Sequence, residues 1–137
     1  MIVLVDTPIW SFAYRRGKRT QREQQAVGEW VKLVRREQAA LIGAVRQEIL
    51  SGISNSKQFE LVRTSLLGFA DLAIDTADYE IAARFHNACR HKGIQGSPTD
   101  FLICAVSMRY DAPVFTTDRD FSRYAKHLGI RLHHPRA

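Results

Sequence analysis

The fold is decided by the stretch IVLVDTPIW at residues 2–10. Its first four residues form a continuous apolar run of mostly branched side chains, which is typical of a parallel strand buried on both faces. Thr7 and Pro8 then begin a short helix, because proline is tolerated in the first turn of a helix. A buried strand that leads directly into a helix predicts an α/β fold, and it places Asp6 at the carboxyl end of the strand.

The rest of the sequence repeats this alternation. We predict helices over residues 21–36, 44–51, 57–69, 76–92, 97–110 and 121–127, and strands over 39–42, 72–74, 113–116 and 130–132. The six apolar residues from Phe101 to Val106 are compatible with a strand, but a capping box at Ser97 and Asp100 favours a buried helix. The alternation predicts a mainly parallel sheet covered by helices on both faces, in a single domain of residues 1–137.

The composition is that of an ordinary folded domain with an excess of positive charge. Hydrophobic residues make up 45% and charged residues 25% of the 137 residues, which excludes an intrinsically disordered chain. The 20 Lys and Arg residues exceed the 14 Asp and Glu residues, so the net charge is +6. This balance favours an anionic partner, which could be a nucleic acid, an anionic membrane surface or an acidic protein.

The two cysteines, Cys89 and Cys104, lie in predicted helices with apolar neighbours. They are too few for a disulfide framework, so we expect buried thiols in a reducing cytoplasm. No apolar run approaches the roughly 18 residues of a membrane helix. We therefore expect a cytoplasmic protein without a membrane partner.

Four carboxylates occupy positions where a site is expected. Asp6 and Asp118 follow predicted strands, and binding sites of parallel sheets lie outside the carboxyl ends of the strands. Asp100 lies in the first turn of the most apolar helix, and Glu48 shares the apolar stripe of its own helix, so we expect it to face the core. A buried unpaired carboxylate is unfavourable, and converging carboxylates repel one another. A divalent cation resolves both problems, and ligation by oxygen alone favours Mg²⁺ or Mn²⁺ over Zn²⁺.

Each acid also has a purely structural interpretation. Asp6 could cap the helix that follows it, and Asp100 could serve only in its capping box. Asp118 or Asp120 could cap the helix near residue 121, and Glu48 could extend to the rim of the cleft or pair with Arg46. The joint pattern, with four acids at the edge of one predicted sheet, favours a functional site.

Four segments together resemble a known family. They are VDTPIW at residues 5–10, QEILSG at 47–52, TDFLICA at 99–105 and FTTDRDF at 115–121. In this order and at these separations they look like the PIN-domain nucleases, and more narrowly like the VapC toxins of toxin–antitoxin pairs. No single segment is specific, but the ordered set is, and it covers nearly the whole chain.

The resemblance implies a three-layer α/β/α sandwich around a parallel sheet of about five strands. It also implies an endoribonuclease that depends on Mg²⁺, for which Mn²⁺ would substitute, and that hydrolyses RNA with an activated water. Asp6 and Asp100 would be the main metal ligands, and Asp118 would bind the metal directly or through water. Glu48 would complete the catalytic quartet by binding through water or by orienting the nucleophile.

Further positions are implied around this quartet. Thr117 matches a hydroxyl position that could steady a carboxylate or a phosphate, and Asp120 matches an acidic position present in part of the family. A basic patch is expected to contact RNA phosphates, although it could be only a solvated corner. Its members are Arg15, Arg16, Lys18, Arg19 and Arg22.

The resemblance also implies partners. Aromatic residues on the first two helices suggest an aromatic surface, although at least two of them could pack in the core: Trp10, Phe12, Tyr14 and Trp30. By resemblance this region would grip a VapB-like antitoxin segment, and the toxin would form a homodimer. Two alternatives are a non-catalytic RNA-binding protein of the same fold and a metal-dependent phosphatase. Against the phosphatase, Pro8 stands where aspartyl-phosphate enzymes commonly carry a second aspartate.

Overall fold

The computed structural model describes residues 1–135. The strands are β1 (Val3–Val5), β2 (Ala39–Ala40) and β3 (Val114–Phe115). The helices are α1 (Thr7–Tyr14), α2 (Gln21–Arg35), α3 (Gly43–Ser51), α4 (Ser56–Leu66), α5 (Thr76–His91), α6 (Pro98–Tyr110) and α7 (Asp120–Leu128). The expected alternation of strands and helices is confirmed.

The sheet is parallel, with strand order β2-β1-β3. Isolated parallel bridges extend it on both sides, between Leu41 and Asp71 beyond β2 and between Val114 and Leu132 beyond β3. Five parallel segments are therefore present, but the strands expected at 72–74 and 130–132 are reduced to single bridges. In the segment 72–74, Leu72 and Ile74 are only half-buried, so little packing energy supports a longer pairing there.

The helices lie on the two faces of the sheet. From β1 the chain moves through β2 to Asp71 in one direction across the sheet, and from β3 it moves to Leu132 in the other. Right-handed crossovers place α1 to α4 on one face and α5 to α7 on the opposite face. The packing agrees, because α1 contacts α2 and α3, α3 contacts α4, and α5 contacts α6 and α7. The expected α/β/α sandwich is thus confirmed.

The core is built around β1 and α6. All three residues of β1 are buried, as are the seven residues of α6 from Phe101 to Ser107. Helix α6 begins with the predicted capping box, in which Ser97 and Asp100 exchange hydrogen bonds with each other's backbone N–H. The reciprocal cap is why this apolar run forms a helix and not a strand.

Trp10 belongs to the core and not to an aromatic surface. Its side chain is fully buried, its Nε1 donates to the Val5 carbonyl at 3.0 Å, and its ring packs edge-on against Phe69 and Trp30. The surface interpretation was wrong for this residue because α1 follows β1 without a loop, so its inner face lies directly on the sheet. Phe12, Tyr14 and Trp30 are half-buried.

Both cysteines are free and buried, as expected, and burial raises the pKa of each thiol. Among the helices within residues 1–135, none is both long enough and apolar enough to cross a membrane.

Candidate active site

The site lies where two neighbouring strands lead in opposite directions. Strands β1 and β3 are parallel, with Val5 opposite Phe115. From β1 the chain crosses to one side of the sheet, and from β3 it crosses to the other. Such a reversal opens a crevice at the carboxyl ends of the strands, where side chains of several elements meet.

Asp6 lies at the bottom of this crevice. It is only 4% exposed, and it caps α1. Its Oδ1 accepts from the Thr7 N–H at 2.8 Å, and its Oδ2 accepts from the Thr116 hydroxyl at 2.8 Å. The pKa of Asp6 is raised to about 6: burial is the largest cause, the two hydrogen bonds from Thr116 and Thr7 oppose it, and the negative charges of Asp100 and Asp118 add to it. The structural interpretation as a helix cap is therefore correct, and the same carboxylate faces two other acids.

Thr116 is a site residue that sequence reasoning missed. Its hydroxyl donates to Asp6 and accepts from the Asp118 N–H at 2.9 Å, so it links the two strand ends. The register explains this position: Asp6 follows Val5 as Thr116 follows Phe115, and Val5 and Phe115 are paired. The signal was present in the sequence, but it required the strand register.

Thr117 donates no hydrogen bond to a carboxylate within residues 1–135, and its expected role toward a phosphate stays a prediction. It is exposed, and the hydroxyl that steadies a carboxylate is that of Thr116. Only Thr116 follows its strand in register with Asp6, which is why its hydroxyl reaches that carboxylate.

Asp118 and Asp120 are both half-buried at the start of α7. The Oδ1 of Asp118 accepts from the Asp120 N–H at 2.9 Å, which turns the chain into the helix. Asp118 lines the cleft that the other acids line. Asp120 is not among the described residues that line it.

Asp100 is held by a second residue that the sequence did not reveal. The buried Tyr124 of α7 donates its hydroxyl to Asp100 Oδ2 at 2.9 Å. Burial raises the pKa of Asp100, the hydrogen bonds from Tyr124 and Ser97 lower it, and the charge of Asp118 raises it. Gly96 makes this contact possible, since a Cβ there would lie 2.8 Å from Cε2 of Phe101 and would crowd the tyrosine hydroxyl.

Glu48 is exposed, so the expectation that it faces the core was wrong. Val45 and Ile49 are one turn apart and both buried, whereas Glu48 lies on the flank of that stripe. Its Oε1 accepts from the Thr7 hydroxyl at 2.6 Å. The flank position lets the carboxylate lie at the rim of the crevice beside α1.

Glu48 does not pair with Arg46 either. The guanidinium of Arg46 donates to Asp71 Oδ1 at 2.9 Å, and to the carbonyls of Leu66 at 2.9 Å and Phe69 at 2.5 Å. This arginine binds the end of α4 to the sheet edge. The carboxylate of Glu48 therefore forms no ion pair with Arg46 and lines the cleft.

The four predicted acids line one cleft of about 820 Å³. Its walls come from the start of α1, one side of α3, the start of α6 and the segment after β3. The charged lining residues are Asp6, Glu48, Asp100 and Asp118, and Ser11 and Thr99 add hydroxyl groups. The structure therefore brings together residues that are as much as 112 positions apart in the chain.

The donor chemistry of this cleft fits a hard divalent cation. Within residues 1–135, no three His, Cys, Asp or Glu side chains are close enough to hold a metal ion together. Mg²⁺, however, commonly takes only one or two protein carboxylates and keeps several waters. On Glu48, Asp100 and Asp118 the second carboxylate oxygen accepts no hydrogen bond from any described residue, so each has an oxygen available for such ligation.

The basic patch is partly engaged within the chain. Arg15 bonds both carboxylate oxygens of Glu23 at 2.9 Å and lies over the Phe12 ring. Arg19 donates to the Phe12 and Ala13 carbonyls at the end of α1, at 2.7 and 3.1 Å. These two arginines stabilise the corner between α1 and α2. Three members of the patch are exposed and form no ion pair with another residue of the described chain: Arg16, Lys18 and Arg22.

The comparisons with known proteins agree with this geometry. Among curated proteins, none matches the chain. Among solved structures, it is similar to FitAcB from Neisseria gonorrhoeae, with 20% identity, a TM-score of 0.75 and 97% of each chain covered. It is also similar to VapBC2 from Rickettsia felis bound to a DNA fragment from their promoter, with 17% identity, a TM-score of 0.72, and 97% of this chain and 98% of the other covered.

A toxin-antitoxin complex from Klebsiella pneumoniae is similar as well, with 21% identity, a TM-score of 0.61, and 88% of this chain and 90% of the other covered. At these identities the likenesses show the fold. The sequence model of the PIN domain matches residues 3–127, which is most of the chain. This chain belongs to the PIN domain family.

Proposed function

We propose that this chain is a Mg²⁺-dependent endoribonuclease and the toxin of a toxin–antitoxin pair. The observation that carries the proposal is the convergence of four acids from four separate parts of the chain on one cleft at the carboxyl end of a parallel sheet. Asp6 is buried there beside two further carboxylates, an arrangement that is unfavourable without a cation. PIN domains are generally nucleases, and this arrangement is what such chemistry requires.

The roles of the acids are those that the resemblance to PIN-domain nucleases implies. Asp6 and Asp100 would be the main ligands of the cation, and Asp118 would bind it directly or through water. The Thr7 hydroxyl fixes Glu48 Oε1, so Oε2 is left to orient an attacking water. A bound Mg²⁺ would neutralise charge on the phosphate oxygens and acidify a water molecule.

The biological setting is part of the proposal. The 137 residues would form one PIN domain that acts in the cytoplasm, cleaves RNA and thereby inhibits translation or growth. The similar solved structures include complexes of toxins with their antitoxins. We therefore propose a VapB-like antitoxin as partner and a homodimer as the active form.

The test is cleavage of defined tRNA and rRNA in Mg²⁺ by the wild-type chain and by Asp6→Asn. Asp111→Asn is the matched control, because it makes the same change at an exposed residue with φ of 51°, a left-handed conformation that suits asparagine. We expect cleavage by the wild type and by Asp111→Asn, and none by Asp6→Asn or in EDTA. Full cleavage by Asp6→Asn at purity excluding host nucleases would disprove the assigned role.

A growth assay tests the toxin role separately. The wild-type chain should arrest growth when expressed alone, and the Asp6→Asn chain should not. If the wild-type chain cleaves RNA in vitro but leaves growth unchanged, the nuclease proposal stands and the toxin proposal fails.

A further inference from the structure

A second cleft adjoins the acidic one. It has a volume of about 680 Å³ and lies between α2, the end of β3 and the segment 132–135. The two clefts share Asp118, which lines both. The two clefts therefore lie next to each other, on either side of Asp118.

The exposed charge of the second cleft is positive. Its lining includes Arg22 and Lys32 from α2 and Arg119 from the start of α7, and all three are exposed. None of the three forms an ion pair with another side chain in the described part of the protein. The acidic residue of this wall, Glu29, is bonded to the His133 ring at 2.6 Å and is largely buried.

The two cations of α2 that line this cleft, Arg22 and Lys32, lie on the same side of the helix. Arg22, Gln25, Glu29 and Lys32 recur at spacings of three, four and three residues, so they lie along one stripe of the helix. From Arg22 to Lys32 the stripe is roughly 15 Å long, at 1.5 Å rise per residue. The cations at its two ends are therefore far enough apart to contact different phosphates of one strand. Gly28 lies inside the cleft, and a Cβ there would meet nothing within 4 Å, so the middle of the cleft is open.

We propose that this basic cleft binds the RNA backbone on one side of the bond that is cut. The inference rests on the proposed function, because it takes RNA as the substrate of the acidic cleft. A cluster of four carboxylates repels a polyanion, and cations in the adjacent cleft compensate for this repulsion. Arg22 is the one member of the sequence-predicted patch that lines this cleft; Lys32 and Arg119 are added by the structure.

The opposite neighbour of the acidic cleft is less suited to phosphates. That groove is lined by Arg15 and Arg16, but Arg15 is bonded to Glu23. Only Arg16 would be available there, against three cations in the basic cleft. The charge distribution therefore favours the side of α2 and α7.

The test is binding of a fluorescent single-stranded RNA to the Asp6→Asn chain, measured by anisotropy over a range of salt concentrations. In that background the RNA stays intact. The triple variant R22A/K32A/R119A removes the three cations. The matched control R84A/R90A/K92A removes the same charge from exposed residues at α5, and these three line neither cleft.

We expect the cleft variant to weaken Kd by roughly 50-fold, at about threefold to fivefold per exposed charge. The slope of log K against log salt should fall by about 2, since each phosphate contact on a single strand contributes about 0.7. The control variant should lose less than threefold in affinity, and its slope of log K against log salt should stay close to that of the Asp6→Asn chain. Gly28→Leu, which leaves the charge unchanged, should also weaken binding by fivefold or more, because it fills the cleft.

Two results would overturn the inference: equal losses in the cleft and control triple variants, or no measurable RNA binding by the Asp6→Asn chain. Cleavage by the wild-type chain separates the two proposals. If the wild type cleaves RNA but the two triple variants lose affinity equally, the nuclease stands and the basic cleft fails. If the cleft variant alone loses affinity but the wild type never cleaves, RNA binding stands and the nuclease fails.

Discussion

Asp6→Asn should make the metal-free protein more stable above pH 6. The pKa of Asp6 is about 6 in the folded chain and 3.8 for an unperturbed aspartate. The folded state therefore binds a proton that the unfolded state has already lost, so stability falls mainly as the pH rises from about 4 to about 6 and is constant above about pH 7. Each pKa unit corresponds to about 1.4 kcal/mol, so ionised Asp6 lowers the free energy of unfolding by about 3 kcal/mol at pH 7.

The asparagine removes this titration but keeps the shape of the side chain. Its amide has one acceptor oxygen, whereas Asp6 accepts from both Thr7 and Thr116. One hydrogen bond is therefore lost, at about 1 kcal/mol. The net gain at pH 7 is about 2 kcal/mol, or about 6 °C in Tm for a domain of this size.

The assay is thermal and urea unfolding of the two proteins in EDTA at pH 4, 5, 6, 7 and 8. The quantity of interest is the difference in free energy of unfolding, since titrations common to both proteins cancel. This difference should rise by about 2 kcal/mol between pH 4 and pH 6 and level off above about pH 7. Asp111→Asn is the matched control, because it makes the same substitution at an exposed carboxylate.

A flat difference between Asp6→Asn and the wild type from pH 4 to pH 8 would refute the reasoning. It would mean that the carboxylate is no less favourable in the fold than in water. Added Mg²⁺ gives a further comparison: it should raise the Tm of the wild type more than that of Asp6→Asn, because a ligand of the folded state stabilises it by mass action.

Three other substitutions have definite expected outcomes. Thr116→Val should raise the pKa of Asp6 above 6, because the threonine hydrogen bond lowers it, and the stability step described above should move to higher pH. Gly96→Ala should cost about 1–3 kcal/mol by urea unfolding, because the new Cβ would lie 2.8 Å from Cε2 of the buried Phe101 ring. Arg46→Ala should cost about 2 kcal/mol in the same assay, because three acceptors lose their donor.

The parts of the site that were predictable follow from local rules. A branched apolar run next to an acid placed Asp6 at a strand end, and the same logic placed Asp118 after β3. The capping box at Ser97 and Asp100 identified the start of α6. In each case the information lies within a few residues, because strand ends and helix caps are local structures.

The parts that were not predictable depend on contacts between distant residues. Tyr124 reaches Asp100 across 24 positions, and Thr116 reaches Asp6 across 110. A helical pattern also predicts only roughly which way a side chain points. Glu48 is next to a buried stripe and is nevertheless exposed. Long basic side chains are the least predictable, because Arg15 can bond to Glu23 or to a ligand with little change in its backbone.

The site illustrates why burial and function must be weighed separately for each acid. Sequence reasoning expected the unfavourable buried carboxylate at Glu48, and the structure has it at Asp6. Glu48 is exposed, whereas Asp6 is ionised only against burial and two neighbouring acids. The unfavourable burial of negative charge in the cleft thus falls mainly on Asp6, at its base. A cation bound in the cleft would lower the pKa of Asp6 and return that stability, so metal binding and folding stability should be coupled mainly through this side chain.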